Sequence, residues 1–577
     1  MAALAYDGSV TSLGSLDAAR EVVSGLLAGG VRRVVVCPGS RSAPLAYALA
    51  EAEGRGLLEL VVRIDERSGA FTALGAALSS GRPTAVLTTS GTAVGNLLPA
   101  VMEANHAEVP LIVLSADRPA ELHGTGANQT TEQLDLFGEH VRFATSVAAG
   151  ESPSSAVRTA LSAASGLLPG VPSGPAQLNV CFREPLVPAG TWEPPLGGWE
   201  QPPTEGFAYR RPAVAALGGL PPRRTVVMAG HGAGPLAEAF AAAHGLPLLA
   251  EPSSNARFGS HAVGPYRVLL DGHPGEGIER VVLFGRPTLS RPVTALLARE
   301  GVETALFHPR PVAWFEEGRR RERLVADLDE LSDFAGRGAE GWLDAWLLAG
   351  AAAQEALDRV LAALPLSGPR LAQLVWQGAS GQLMLGSSNG IRDVDLAASP
   401  PAEPGARVFA NRGLAGIDGT VSTATGLWLG NRLDTTLFLG DLTFLHDAGG
   451  LLLGTGEAEP ALRIVVLNDA GGAIFGLLEH GRVGGDGAAR PGAAAAVERL
   501  FGTPHRADLR ALAAAYGVRH TVVRTAAEAA AALASPRAAG REIIEARVDR
   551  SALRELHARV RAAVAESVAP QHRFGYR

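Results

Sequence analysis

The sequence predicts an α/β protein made of three doubly wound parallel-sheet domains. Three observations carry that expectation: a length of 577 residues, short apolar runs that alternate with helical patterns, and the lack of a polar side on those runs. At roughly 100–200 residues per domain the length allows three or four separate cores. A strand apolar on both sides belongs in a parallel sheet covered by helices on each face.

The elements follow in chain order. Within residues 16–28, Val22, Val23, Leu26 and Leu27 share a helical face, and Gly29-Gly30 supply the stop. Val34-Val35-Val36-Cys37 reads as a buried strand. Strands near 57–62, 84–88 and 111–114 then alternate with helices near 68–78 and 94–104, which gives a first domain over residues 1–188. Residues 185–205 are dense in Pro and Gly without periodicity, so 189–206 is expected to be a linker. A central domain over 207–345 is marked by strands at 225–229 and 281–284, each entering a Gly-containing turn. An Ala-rich helix near 345–364 leads into a third domain over 346–577, with strands near 408–410, 436–439 and 464–467. The Gly/Ala segment 482–497 reads as a surface loop and 525–534 as a helix. The three units show no residue-level self-similarity.

Composition narrows the function. With 47% apolar and 19% charged residues, 70 Gly and 38 Pro, the chain is globular and rich in turns rather than disordered. A net charge of −7 argues against a nucleic-acid partner, which needs a dominant basic face. Lysine is absent and all 51 basic residues are arginine, a bias that a GC-rich genome accounts for. The consequence is chemical: Schiff-base aldolases, pyridoxal-phosphate enzymes and Walker-type NTPases are excluded. Arginine can still grip carboxylates and phosphates through paired hydrogen bonds. Cys37 and Cys181 are too few for a disulfide framework or a zinc knuckle. The opening MAALAYDGSV lacks the basic flank and apolar core of a signal peptide, and no run of 18 apolar residues occurs. A cytoplasmic protein without membrane insertion is expected.

Among the motifs, Gly230-His231-Gly232-Ala233-Gly234 is half of a dinucleotide fingerprint but lacks the acidic partner, and reads better as a strand-to-helix turn. The run Arg319-Arg320-Arg321-Glu322-Arg323 reads as a solvated helix face. Gly440-Asp441 and Asn468-Asp469 end successive predicted strands, so in a parallel sheet they open onto one crevice. A hard divalent ion bridging to a diphosphate suits such a set, with Gly471-Gly472 permitting close backbone approach.

That spacing is similar to the Mg²⁺–thiamine diphosphate signature, and further segments narrow the match. These are CPGSRSAPL (37–45), IDERSGAF (64–71), TTSGTAVGN (88–96), SADRPAEL (115–122), GANQT (126–130), FGRPTLSRP (284–292), SSNGIRD (387–393), ANRGLAGIDGT (410–420), GDLTFLHD (440–447) and NDAGGAIF (468–475). Together they resemble the 2-succinyl-5-enolpyruvyl-6-hydroxy-3-cyclohexene-1-carboxylate synthases of menaquinone biosynthesis, the MenD family. The resemblance implies pyrimidine-binding, central and diphosphate-binding domains. It also implies thiamine diphosphate with Mg²⁺ or Mn²⁺, and decarboxylation of 2-oxoglutarate followed by conjugate addition of the succinyl carbanion to isochorismate.

The resemblance also assigns residues. Glu66 is the carboxylic acid that activates the cofactor through its aminopyrimidine, Asn96 assists the pyrimidine pocket, and Ile417 is the apolar wedge that bends the cofactor. Gly440, Asp441, Leu442, Asn468, Gly471 and Ile474 lie against the cofactor. Asp441, Asp469 and the Gly471 carbonyl hold the metal. Ser388, Arg392 and Arg412 serve 2-oxoglutarate, while Ser40, Arg41, Arg118, Gln129 and Arg291 line the isochorismate side, with Arg41 counted among the catalytic group. Ile474, Phe475 and Leu478 form an apolar wall. Two positions depart from the general signature: Leu442 stands where Gly is usual, and Asp469 where Asn is usual, so whether Asn468 or Asp469 binds the ion stays open. His106, His123 and His446 receive no acid–base role. The family's active sites join two subunits, which implies a homodimer or homotetramer. A monocarboxylate carboligase such as an acetolactate synthase would leave Arg392 and Arg412 without a second carboxylate. A non-catalytic regulator is disfavoured by the presence of Glu66, Asp441 and Ile417.

Overall fold

A computed structural model describes residues 12–188, 192, 209–215, 218–315, 318–482, 492–537 and 539–569. The chain divides into two compact units. One comprises Met1–Pro203 with Thr425–Asn431 and Leu452–Ala458; the other comprises Thr204–Ala424, Arg432–Leu451 and Glu459–Arg577.

The first unit is built on a six-stranded parallel sheet in the order Glu59–Val62, Arg33–Val36, Thr84–Thr88, Leu111–Asp117, Ala176–Cys181, Phe143–Val147. Arg33–Val36, Thr84–Thr88 and Leu111–Asp117 are buried along their whole length, as strands covered on both faces must be. The helix Glu66–Ser80 is started by Asp65, whose carboxylate accepts the amides of Arg67 (2.9 Å) and Ser68 (3.2 Å), and is ended by Gly81 at φ 66°. Small residues let a second helical segment lie directly on it. A Cβ on Gly426 would collide with the Thr72 carbonyl, and one on Gly430 with the Ser79 hydroxyl.

Among its described residues the second unit holds two large parallel sheets and a two-stranded parallel one, Arg337–Gly338 with Pro222–Arg223. The five-stranded one runs Arg323–Val325, Glu303–Phe307, Arg280–Phe284, Thr225–Ala229, Leu248–Ala250. The six-stranded one runs Ala406–Phe409, Gly381–Leu385, Thr435–Gly440, Leu462–Asn468, Arg541–Arg547, Arg519–Val523. Three helix-covered parallel sheets are the expected α/β class. No described helix is long and apolar enough to cross a membrane.

Three local expectations are corrected. The helix expected at 94–104 is two, Thr92–Gly95 and Leu98–Ala107, because Pro99 has no N–H to continue the first and suits the opening turn of the second. The arginine run after residue 318 is a turn leading into the edge strand Arg323–Val325 rather than a helix, with Arg320 Nε 3.0 Å from Glu322 Oε1. Part of the expected loop 482–497 is the helix Ala493–Val497; residues 483–491 lie outside the described residues, as does the 189–206 linker apart from Trp192. The glycine-rich stretch from Gly230 is the expected turn between Thr225–Ala229 and the helix Leu236–His244.

Candidate active site

In the six-stranded sheet of the second unit, Thr435–Gly440 pairs with Leu462–Asn468, and Asp441 and Asp469 follow their carboxyl ends. That edge is where parallel sheets place ligands. Asp441 is buried. Its Oδ1 accepts the Leu442 amide at 2.6 Å, and its Oδ2 accepts the Gly471 amide at 3.0 Å and lies 3.1 Å from His505 Nε2. His505 Nδ1 accepts the Ala507 amide at 3.3 Å, so a neutral ring carries its proton on Nε2 and donates to Asp441.

Burial raises Asp441 above the usual carboxylate range. Asp469 is pushed up to about 7, by burial first and then by the neighbouring Asp441. Asp469 Oδ1 is buried and has no hydrogen-bond partner; the nearest cation is the Arg550 guanidinium at 3.9 Å. Asn468 is committed elsewhere, its Nδ2 donating to Glu545 Oε1 (2.7 Å) and its Oδ1 accepting the Ala470 amide (3.0 Å). Gly471 has no room for a Cβ between Arg550 and the Gly502 carbonyl. Two repelling carboxylates, one with an unsatisfied oxygen, fit a hard divalent cation. The described residues contain no cluster of three or more His, Cys, Asp or Glu that could hold a metal, so the pair would share the ion with a backbone carbonyl and ligand oxygens.

On the adjacent strand of the same sheet, Gly381–Leu385 leads to Ser388, held at φ 76°, a left-handed conformation uncommon for serine. The turn opens the helix Asn389–Ala397, which carries Arg392; the Arg392 guanidinium donates back to the Ser388 carbonyl at 2.8 Å. Arg412, beyond the strand Ala406–Phe409, is 2% exposed. Its Nε donates to Thr288 Oγ1 (3.0 Å), its Nη2 to the Thr288 carbonyl (2.8 Å) and its Nη1 to Ser387 Oγ (3.4 Å). These bonds fix the orientation of the guanidinium.

A cavity of about 830 Å³ brings together Arg291, Arg392, Ile474 and Leu478 with Arg267 and Asn389. Ser388, Arg412 and Phe475 are not among its lining residues. The Phe475 ring instead lies 5.5 Å from Phe501 and 6.3 Å from His480. Ile417 is half-buried, and its carbonyl accepts Thr420 Oγ1 at 3.1 Å. Gly440 and Leu442 flank Asp441 at the turn from strand to helix.

In the first unit, Glu66 opens its helix, and its Oε2 lies 3.5 Å from Asn96 Nδ2. The loops after Arg33–Val36, Thr84–Thr88 and Leu111–Asp117 bring up Ser40, Arg41, Ser90 and Arg118. Arg41 donates to the Phe182 carbonyl at 2.9 Å. Arg118 donates to Ser90 Oγ and to the carbonyl of Gln129 (2.9 Å), itself at φ 56°. Burial lowers the Arg41 pKa and the Arg118 charge lowers it further, so the two guanidiniums form one anion-seeking corner. His123 Nε2 lies 3.5 Å from Asp117 Oδ1, beside this corner.

Residues 16–136 match the family described as "Thiamine pyrophosphate enzyme, N-terminal TPP binding domain". Along nearly its whole length the chain is similar to proteins named 2-succinyl-5-enolpyruvyl-6-hydroxy-3-cyclohexene-1-carboxylate synthase. It is 64% identical to that of Arthrobacter sp. (strain FB24), covering 97% of this chain and 94% of the relative. Identity is 65% to that of Paenarthrobacter aurescens (strain TC1), covering 97% and 98%, and 58% to that of Renibacterium salmoninarum, covering 97% and 99%. The chain belongs to the 2-succinyl-5-enolpyruvyl-6-hydroxy-3-cyclohexene-1-carboxylate synthase family. As a member of this synthase family it is a thiamine-diphosphate-dependent enzyme acting on small molecules.

Sequence reasoning about the synthase missed several residues. Thr288 and Asn389 sit inside quoted motifs, FGRPTLSRP and SSNGIRD, and could have been singled out there. His505 and Arg550 follow no motif, and only folding brings them to Asp441 and Asp469.

Proposed function

We propose that the chain catalyses the thiamine-diphosphate-dependent decarboxylation of 2-oxoglutarate and adds the succinyl unit to isochorismate. The products are 2-succinyl-5-enolpyruvyl-6-hydroxy-3-cyclohexene-1-carboxylate and CO₂, made in the cytoplasm for menaquinone biosynthesis. The observation that carries this reading is the pairing, on one sheet, of two guanidiniums oriented by hydrogen bonds with a repelling carboxylate pair.

When bound, thiamine diphosphate supplies the carbon nucleophile and the electron sink for loss of CO₂. Asp441, Asp469 and the Gly471 carbonyl would hold Mg²⁺ or Mn²⁺, with Asp469 a better ligand than Asn468 because the Asn468 amide is already paired. Gly440, Leu442 and Asn468 shape the turn that presents these groups, and Ile417 would pack its apolar side chain against the cofactor. Glu66 holds a proton at the pyrimidine ring nitrogen, oriented by Asn96. Ser388, Arg392 and Arg412 hold the carboxylates of 2-oxoglutarate, a dianion that needs more than one fixed cation. Ser40, Arg41, Arg118, Gln129 and Arg291 hold those of isochorismate. Ile474, Phe475 and Leu478 exclude water from the reacting carbons.

The reading includes domains at 1–188, 207–345 and 346–577 joined by the 189–206 linker, and a homo-oligomer in which Glu66 of the partner subunit completes each site. Support for an interface comes from the apolar Ile64, which is 71% exposed two residues before Glu66. The test is to supply the purified protein with thiamine diphosphate, Mg²⁺ and 2-oxoglutarate, and to follow CO₂ and product with and without isochorismate. Product that appears only with both substrates is expected. Equal turnover of pyruvate in place of 2-oxoglutarate would overturn the donor assignment.

A further inference from the structure

We propose that Glu251 is a positioning residue for Arg412, acting through Thr288. The inference rests on the reading that Arg412 binds 2-oxoglutarate.

Glu251 follows the edge strand Leu248–Ala250 of the five-stranded sheet and is fully buried. A buried carboxylate is expensive unless its oxygens are satisfied, so its partners indicate its role. Every hydrogen bond described for its carboxylate goes to one loop. Oε1 accepts the amides of Thr288 (2.8 Å) and Leu289 (2.9 Å), and Oε2 lies 3.4 Å from Thr288 Oγ1.

That loop leaves Arg280–Phe284, which is separated from Leu248–Ala250 by the strand Thr225–Ala229, and grips Arg412 from its other side. Thr288 supplies both its hydroxyl and its carbonyl to the Arg412 guanidinium, at 3.0 and 2.8 Å. Arg286, on the same loop, donates to the Arg412 carbonyl and to that of Gly413 (2.6 Å). Arg412 is therefore held at head and backbone by a loop that Glu251 ties down from behind.

The hydrogen-bond directions agree along this chain. The Thr288 hydroxyl has one hydrogen; because Arg412 Nε–H donates into its oxygen, that hydrogen is free to donate towards Glu251 Oε2. Glu251 thus orients the hydroxyl that orients the guanidinium. The two amide bonds to Oε1 require only an oxygen acceptor. Glutamine keeps that acceptor at Oε1, and its amide N–H can donate to the second lone pair of Thr288 Oγ1 in place of the bond that Oε2 accepts; alanine offers neither, which separates positioning from any need for an acid. Misplacing Arg412 by a fraction of an ångström weakens a bidentate grip on a carboxylate while leaving the remaining machinery in place.

The test compares Glu251→Ala, Glu251→Gln, Thr288→Val, Arg412→Ala and the double variant Glu251→Ala/Arg412→Ala in the complete enzyme, with KM measured separately for each substrate. Glu251→Ala should raise KM for 2-oxoglutarate by about tenfold and that for isochorismate by less than about threefold. Thr288→Val should give a smaller rise on the same side, and Glu251→Gln should stay within about twofold of the parent for both substrates. Adding Glu251→Ala to Arg412→Ala should change the 2-oxoglutarate KM by less than about twofold, a coupling that a general loss of stability would not produce. If Arg412→Ala raises that KM while Thr288→Val and Glu251→Ala leave it unchanged, the role of Glu251 falls alone. An additive double variant, or a Glu251→Gln variant as impaired as Glu251→Ala, also overturns it. Should Glu251→Ala fail to fold, Thr288→Val and Glu251→Gln decide by the same criteria. If Arg412→Ala itself leaves the 2-oxoglutarate KM unchanged, the donor-site reading fails and this inference fails with it.

Discussion

The two six-stranded sheets have the same strand order, second–first–third–fourth–sixth–fifth counted along each segment. Yet their crevices present different chemistry. In the first unit, the loops at the carboxyl ends of the strands bring up Arg41 and Arg118 with neutral partners. In the second, the corresponding sheet brings up Asp441 and Asp469 beside Arg392 and Arg412; burial raises both carboxyls, and Asp441 raises Asp469 further. One topology fixes where a ligand sits, and the short loops after each strand decide its charge.

Four experiments would break or sharpen this contrast. The largest effect should come from Glu66→Gln, which removes the one carboxylic acid of the first unit assigned to the cofactor. Turnover should fall by about 10³-fold with folding by circular dichroism unchanged, and near-normal turnover would remove Glu66 from the mechanism.

Next, Asp441→Asn should weaken Mg²⁺-dependent binding of thiamine diphosphate by about 10–100-fold in a calorimetric titration without substrates. Chelating the metal in the parent protein should do the same, and a metal-independent affinity would dissolve the proposed role of the carboxylate pair.

Third, Arg412→Ala and Arg118→Ala should separate the two corners. The former should raise KM for 2-oxoglutarate and the latter that for isochorismate, each by about tenfold or more. Equal effects on both substrates would mean that the crevices do not divide the work.

The smallest effect concerns pH. Glu251 is pushed up to about 7 by burial and by Asp395, against the opposing pull of the Thr288 and Leu289 amides and of Arg412. A carboxyl whose folded pKa is raised contributes stability that is complete below its unfolded value and is lost as pH climbs through the folded one. The Tm of Glu251→Gln relative to the parent should therefore rise between about pH 5 and about pH 8, by a few degrees. A constant difference across that range would show that Glu251 does not titrate there.

The parallel-sheet architecture was legible because its central strands are apolar on both sides, as at Thr84–Thr88, where expected and observed limits coincide. Ala176–Cys181 escaped notice because Gln177 and Asn179 interrupt the apolar run. Both are buried; the Asn179 amide and the Gln177 NH2 group are engaged in a network that includes Ser115, Gln133 and Asp117, while Gln177 Oε1 has no hydrogen-bond partner. Such pairing is invisible to periodicity, which counts an amide as solvent-facing. Phe143–Val147 escaped for another reason, being a mostly half-exposed edge strand.

At the site, motifs pointed to Asp441, Glu66 and the arginines, but not to what holds them. Asn468 and Asp469 are indistinguishable as letters. Only the engagement of Asn468 with Glu545, set against the unsatisfied oxygen of Asp469, tells them apart. Glu251 is likewise one acid among 58 acidic residues, until the fold carries the 284–292 loop onto it.

The stretches Thr425–Asn431 and Leu452–Ala458 belong to the body formed by the amino-terminal third. Leu429 is buried in that body's core, and stripping away such a side chain forfeits about 2 kcal/mol. A gene fragment stopping near residue 203 would thus encode an incomplete object, with an open socket where Gly426 and Gly430 should nest. Any attempt to express the amino-terminal region by itself would have to graft both downstream stretches back on.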